Sequence, residues 1–329
     1  MRKFLGAIFG LLLLSAACQP GGKPRLDLDT APSEAELFGP GWISTPMNER
    51  DLAIAPDRKT IIYTFGNYTQ DRRCLVMVKW EGGHWTEPEI LPFSGQYQDI
   101  EPFFAPDGKR LFFASDRPVD TDTLSGRTDY NIWVVEKTSP GWGLPRPLDP
   151  VINTAADEFY PAVCSNGNLY FTAVRASGPG KEDIYLSKFS NDTYGEPIAL
   201  DSAINSENYE FNAYVSPDES LLLFSSYGRV DELGGGDIYF STRNEAGNWT
   251  PAVNLGPAVN SGFLDYCPFV DLDRGILYFS SNRHQPGTER FHSADQFKEA
   301  AQGIENGLGN IYRLQLGALP FPDLNPEIP

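Results

Sequence analysis

One unit of turn and strand recurs five times along this chain, and that repeat limits the possible fold more than any other feature. Its clearest copy is APDGKRLFFASDR, residues 105–117. It returns as APDRKTIIYTFGN from Ala55, CSNGNLYFTAVR from Cys164, SPDESLLLFSSYG from Ser216 and DLDRGILYFSSNR from Asp271. Each copy is a polar turn followed by an alternating strand that ends in small residues. Gly108 and Gly167 supply the positive φ that a tight hairpin requires. A fixed repeat of this length is the mark of a propeller or a solenoid.

A second strand follows each copy: CLVMV from Cys74, NIWVV from Asn131, DIYL from Asp183, DIYF from Asp237 and NIYRL from Asn310. An aromatic-led segment comes next, carrying Trp85, Trp142, Tyr194 and Trp249, with Pro88, Pro145, Pro197 and Pro251 just beyond. Proline is tolerated on an outermost strand because one side of it has no pairing partner. With the strand before each turn, the unit has strands A, B, C and D, which makes a four-stranded blade. Five A-B-C sets are present but only four D segments follow them. Residues 39–46, GPGWISTP, resemble the other D segments and are expected to close the last blade. The expected fold is all-β, a single β-propeller of five four-stranded blades; six blades is the alternative.

The pattern of a proline-aspartate turn, an LxFxSxR strand and a DIY strand resembles the WD40-like propeller repeat called PD40, found in TolB and in the propellers of prolyl oligopeptidase-type enzymes. It covers nearly all of the chain beyond residue 50. The resemblance implies a propeller and says little about activity, because the repeat serves binding proteins and enzyme accessory domains alike. No hydrolase domain follows and no G-x-S-x-G elbow occurs. The chain is therefore more similar to stand-alone PD40 lipoproteins than to TolB.

The N-terminus reads as a targeting segment. Arg2 and Lys3 precede the apolar run 4–14, which is too short to span a bilayer, and Ser15-Ala16-Ala17-Cys18 follows. This resembles the bacterial lipobox, with Cys18 as the lipidated residue; an ordinary signal peptide is the other reading. Residues 1–17 are then a signal peptide, 18–36 a flexible tether, 37–318 the propeller and 319–329 a proline-rich tail. Gln19 after the cysteine points, by the sorting rule of enterobacterial lipoproteins, to the outer membrane facing the periplasm.

The formal charge is −18, which disfavours nucleic acid and anionic lipid surfaces as partners. Cys74, Cys164 and Cys267 fall in three different blades and read as small buried hydrophobes. No Cys/His spacing suggests zinc, and no cofactor is expected. Calcium is a minor option through Asp116, Asp120, Asp122 and Asp129 in the B–C loop of blade 2, whose spacing fits no known loop.

Crossovers and B–C loops share one face, here called upper. The first residue of every A strand is acidic: Glu49, Asp99, Glu158, Glu210 and Asp265. They are expected to ring the upper mouth of the channel, either to bind or to pair with Arg117, Arg175 and Arg283. The structural role is favoured, because chemistry needs a few unequal groups rather than one per blade. Asn153, Asn205 and Asn260 recur in the crossovers. Residues that break the symmetry are Glu101, Tyr160, Asn212 and Tyr266 near the channel, and His284, Arg290 and His292 in the long blade 5 loop. Within that loop Ser293 to Gln296 reads as a capping box that starts a helix. The expected function is a binding or scaffold protein for an envelope protein or glycan. The alternative is a glycoside-active enzyme with carboxylates at the channel mouth.

Overall fold

The computed structural model describes residues 26–119, 129–139, 141–284 and 290–321. They form five antiparallel four-stranded blades in a closed ring, so the chain is an all-β five-bladed propeller. Blade 1 runs Asn48–Ile54, Thr60–Gly66 and Arg73–Glu81, with its outer strand split into His84–Trp85 and Glu89–Ile90. Blade 2 runs Asp99–Phe104, Arg110–Ser115 and Asn131–Thr138, with Gly141–Trp142 and Arg146–Pro147 outside. Blade 3 is Glu158–Val163, Leu169–Ala173, Asp183–Ser187 and Ile198–Ala199; blade 4 is Tyr209–Val215, Leu221–Tyr227, Asp237–Thr242 and Val253–Asn254. Blade 5 takes Asp265–Asp271, Ile276–Ser281 and Asn310–Gln315 from the end of the chain and Glu36–Leu37 from its start.

The B strands are almost continuously apolar because blades pack on both of their faces. Between blades 2 and 3, Phe112, Ile132 and Val134 meet Val163, Leu169 and Phe171. Between blades 5 and 1, Ile54, Ile61, Tyr63 and Val78 meet Ile276, Tyr278 and Ile311. Full burial of one such side chain contributes about 1.5–3 kcal/mol, so the ring is held by its inter-blade seams.

The closing strand lies earlier than the sequence suggests. Leu37 pairs with Tyr312, and the Phe38 N–H donates to the Ile311 carbonyl at 2.8 Å. Residues 39–46 are not the strand but the turn after it. Gly39 has φ +58°, and a Cβ there would lie 2.8 Å from Ile43 and 2.9 Å from Leu26. The chain therefore leaves the sheet at Gly39, and Trp42 packs against the seam rather than leading an edge strand.

The supposed tether is also part of the body from residue 26. Leu26, Leu28 and Ala31 are buried in the seam between blades 5 and 1. The Trp85 indole donates to the Leu26 carbonyl at 3.3 Å. Asp29 bridges Arg58 of blade 1 (3.2 Å) and Arg274 of blade 5 (3.1 Å). Arg313 holds the Thr30 carbonyl at 3.0 Å, and the Gln315 N–H holds that of Pro32 at 2.8 Å. Three apolar residues at uneven spacing show no period, which is why the sequence reads as linker. This strap crosses the lower face, where the A–B turns lie. At the other terminus Leu319 is buried and Phe321 packs edge-on against Phe240, 4.8 Å between centroids, so the tail too begins inside the fold.

Candidate functional site at the propeller axis

Every A strand carries a bulge at the same place. The register with strand B breaks between Arg50 and Ala53, Ile100 and Phe103, Phe159 and Ala162, Phe211 and Tyr214, and Tyr266 and Phe269. The residue after the break has positive φ in each case: Asp51 (58°), Glu101 (60°), Tyr160 (49°), Asn212 (57°) and Cys267 (54°). Five non-glycine residues in that region represent strain held by the surrounding sheet, and bulges of this kind re-aim side chains. Here they bring five chemically different groups to the axis, around a cavity of about 30 Å³. Glu101, Tyr160 and Asn212, expected near the channel, do meet there; Tyr266 sits one place earlier.

Arg50 ties this ring together. Its Nε donates to Asp51 Oδ2 at 2.7 Å, and its Nη2 donates to Glu101 Oε1 at 2.8 Å and to the Tyr160 hydroxyl at 2.9 Å. The Tyr160 hydroxyl donates to Asp51 Oδ1 at 2.7 Å and lies 2.9 Å from Cys267 Sγ. The Tyr160 N–H donates to Glu101 Oε2 at 2.8 Å. The guanidinium also lies 5.5 Å from the Tyr266 ring centroid. Burial pushes the Glu101 carboxyl up, against the pull of Arg50. Burial raises the Tyr160 and Cys267 protons well beyond their ordinary range. The Asn212 amide is buried, and among the described residues neither of its polar atoms has a hydrogen-bond partner. Arg50 and Asp51 were not singled out from sequence. The available signal was that Arg50 is the one charged residue at a position otherwise held by Ile100, Phe159, Phe211 and Tyr266.

The acids that begin the A strands do not line an open mouth. Glu49, Asp99, Glu158, Glu210 and Asp265 are all 0% exposed. In four blades the residue four places earlier is a hydroxyl that clasps the carboxylate with both its side chain and its N–H. Thr45 holds Glu49 at 2.5 and 2.9 Å, Thr154 holds Glu158 at 2.6 and 3.0 Å, Ser206 holds Glu210 at 2.7 and 2.8 Å, and Ser261 holds Asp265 at 2.7 and 2.5 Å. In blade 2, Ser115 bonds Asp99 at 2.7 Å instead.

An arginine completes four of these sockets. Arg117 pairs with Asp99, Arg175 with Glu158 at 3.0 Å, Arg229 with Glu210 at 3.0 Å and Arg283 with Asp265 at 2.6 Å. The same guanidinium nitrogen also holds a crossover carbonyl, those of Phe93, Ile152, Ile204 and Val259. In blade 1 the corresponding residue is Asn67, and Glu49 has Asn310 Nδ2 at 3.1 Å in place of a cation. Burial pushes its carboxyl up to about 7. Burial also raises Asp99 and Glu158, with Arg117 and the Thr154 hydroxyl opposing.

The crossover asparagines are clamps on strand C. Asn153, Asn205 and Asn260 each accept from the N–H of Ile132, Ile184 or Ile238 (2.8, 2.9 and 2.8 Å) and donate back to the carbonyl of the same residue (2.9, 3.0 and 3.0 Å). Ser44 does the same for Ile311, and Ser94 accepts from Leu75.

The blade 5 insertion does not assemble its basic residues into one site. His284 packs on Phe263, 4.4 Å between ring centroids, at the base of the loop. Arg290 and His292 are exposed. The helix is where the capping box predicts it: α1, Ala294–Ala301, is capped by Ser293, whose hydroxyl accepts from Gln296 N at 3.1 Å, but Gln296 Oε1 reaches one residue further back than a capping box and accepts from His292 N at 2.8 Å. Cys18 and the blade 2 residues Asp120 and Asp122 lie outside the described residues. Among the described residues no cluster of three His, Cys, Asp or Glu is arranged to hold a metal, and Cys74, Cys164 and Cys267 are free thiols.

No family model and no curated protein matches the sequence. Among solved structures the chain is similar to a protein assigned as TolB from Agrobacterium tumefaciens, with 15% identity, 84% of this chain and 92% of that one covered, and a TM-score of 0.47. It is also similar to the catalytic domain of a GH62 α-L-arabinofuranosidase from Coprinopsis cinerea, with 13% identity, 88% and 100% covered, and a TM-score of 0.49. Prolyl oligopeptidase B from Galerina marginata aligns at 16% identity and a TM-score of 0.39, over 83% of this chain and 32% of that enzyme. At these values neither activity nor ligand carries over to this chain.

Proposed function

We propose that this chain is a non-catalytic binding propeller of the cell envelope. It is tethered by a lipid on Cys18 at the outer membrane, facing the periplasm, and presents its upper face to an envelope protein or a glycan. The observation that carries this reading is the distribution of exposed apolar side chains. Of the fifteen large apolar side chains that stand exposed among the described residues, eight (Tyr68, Val119, Val174, Tyr227, Val230, Leu233, Phe291 and Phe297) lie on or beside B–C loops, whereas two, Trp80 and Leu272, lie at the lower turns. Apolar surface gathered on one face suits a partner. The strap from the N-terminus crosses the opposite face, which supports an arrangement with the upper face turned away from the membrane.

The glycoside-active alternative needs carboxylates at the channel mouth. The five first-position acids are fully buried in sockets, and Asp51 and Glu101 are engaged by Arg50. The test is recovery of cross-linked partners from native envelopes by the full chain and by a Val230→Asp/Phe297→Asp variant. Loss of a specific partner from the variant, with an unchanged melting temperature, is the expected result. Identical recovery by both chains, or glycan hydrolysis that disappears in Glu158→Gln, would sink the reading.

A further inference from the structure

The upper end of blade 1 departs from the fivefold pattern in a way that opens a cleft. Leu91, Leu148, Leu200 and Leu255 are equivalent, since each donates its N–H to a strand C carbonyl of its own blade at 2.9–3.1 Å. The chain from Leu91 to Asp99 is two residues shorter than the three matching crossovers. In those three, the missing residues wind a turn over the blade: Ile152 and Asn153 both donate to the Asp149 carbonyl, as their counterparts do to Asp201 and Gly256. Blade 1 lacks that cover. Gly95 stands where Thr154, Ser206 and Ser261 carry hydroxyls. Cys74 is partly exposed where Asn131, Asp183 and Asp237 are buried.

The result is a cavity of about 420 Å³, within the size range of small-molecule sites. Its floor is apolar: Met47, Phe65, Cys74 and Ile90. Its polar groups are unequal. Arg73 is committed, donating to Gln98 Oε1 at 2.8 Å and to the Tyr130 hydroxyl at 2.5 Å. The one carboxylate, Asp71, is held by Asn67 at 2.6 Å and by Thr69 at 2.5 Å, with the Arg72 charge a weaker neighbour. Arg72 lines the cleft and is exposed, and among the described residues its guanidinium makes no ion pair and no side-chain hydrogen bond. In a chain with 26 basic and 44 acidic residues, a cation left open above an apolar floor is a specific feature. Arginine is the side chain suited to a planar carboxylate.

We propose that this cleft binds a small monocarboxylate with an apolar body. Arg72 takes the carboxylate; Gln98 Nε2, which makes no hydrogen bond among the described residues, lines the same cleft, and the body lies on Phe65, Ile90 and Met47. The same chemistry is offered by a free amphipathic acid and by the C-terminal residue of a peptide. The site is on blade 1, away from Val230 and Phe297 on blades 4 and 5, so its failure leaves the partner-recovery result untouched.

The experiment titrates the full chain with N-acetyl-leucine, hexanoate and N-acetyl-leucinamide, read by NMR line broadening and calorimetry. N-acetyl-leucine is expected to bind at least tenfold tighter than its amide, and Arg72→Gln to erase that difference with an unchanged melting temperature. Arg72→Lys should restore part of it. Tighter binding of N-acetyl-leucine than hexanoate assigns a peptide terminus; the reverse order assigns a free acid. Equal binding of acid and amide by the parent chain, or no binding of either acid at millimolar concentration, overturns the proposal. So does an acid preference that survives in Arg72→Gln.

Discussion

Arg229 reaches the fully buried carboxylate of Glu210 at 3.0 Å from a position one residue further along the chain than the arginines of blades 2, 3 and 5. Arg117, Arg175 and Arg283 each stand two places after the strand B residue that pairs with the acid; Arg229 stands three places after Ser226, with Gly228 at φ +101° taking up the extra residue. The insertion is absorbed and the socket is conserved in space. Arg229→Met should therefore be as harmful as loss of any of the others. It strands a buried carboxylate, at a cost of about 3–5 kcal/mol. Urea unfolding should show that loss, and Arg229→Met/Glu210→Gln should recover a substantial part of it. A near-neutral single variant would mean that Ser206 and Ser226 suffice.

Glu49 offers a pH signature. Its carboxyl titrates near 7 in the fold against an ordinary value of 4.5. Between those values the folded chain holds a proton that the unfolded chain has released, so stability falls as pH rises across that window and levels off above it. The contribution is about 3 kcal/mol from a shift of this size. Glu49→Gln removes the titration. Its stability, followed by denaturant unfolding from pH 4.5 to 8, should lose the downward slope that the parent chain shows between pH 4.5 and about 7. Equal slopes would place the titration elsewhere.

The five blades are legible in the sequence because each B strand must be apolar on both faces and each turn needs a particular φ. The first-position acids are legible because every blade is built with one, and the crossover asparagines because three of the five crossovers repeat them, with Ser44 and Ser94 in the other two. What the repeat hides is anything that depends on a bulge. The period of two says that Glu101 and Phe103 share a face, but the broken register sends Asp51, Glu101, Tyr160, Asn212 and Cys267 to the axis, and no local signal marks a positive φ at a tyrosine or a cysteine. The tryptophan in residues 39–46 resembles those that lead the other D segments, yet Trp42 packs after the turn at Gly39, and the pairing is made by Glu36–Leu37, which has no aromatic. The strap fails to show because its buried residues follow no period. The loop that holds His284 and His292 stands out by composition, and composition does not bring side chains together.

Arg50 is the keystone of the axial ring, and its removal should be felt there rather than across the whole fold. Arg50→Met leaves Asp51 and Glu101 facing each other without a cation in a buried site. A loss of about 3–5 kcal/mol is expected. Adding Asp51→Asn to Arg50→Met removes one of the two stranded charges and should restore stability by several-fold in the folding constant. Calorimetry of the three chains decides it; a double variant no better than the single one would show that Glu101 alone carries the penalty.

The strap gives the last expectation. Leu28 is buried between the blades that the ring must bring together at its end, and Asp29 touches an arginine on each side of that seam. The two residues should differ sharply in weight. Leu28→Ala empties part of the seam, at about 2–4 kcal/mol. Asp29→Asn breaks two exposed ion pairs worth about 0–1 kcal/mol together. The location of the effect matters more than its size. Only blade 5 is completed by both ends of the chain, so weakening the strap should loosen the pairing of Glu36–Leu37 with Asn310–Gln315 before any other sheet opens. Hydrogen exchange on Leu28→Ala should therefore speed up at Phe38 and along Asn310–Gln315, while Asp183–Ser187, in the middle of blade 3, keeps its protection. Uniform acceleration through all five blades would show instead that the ring opens as one cooperative unit, with the strap adding stability but no seam.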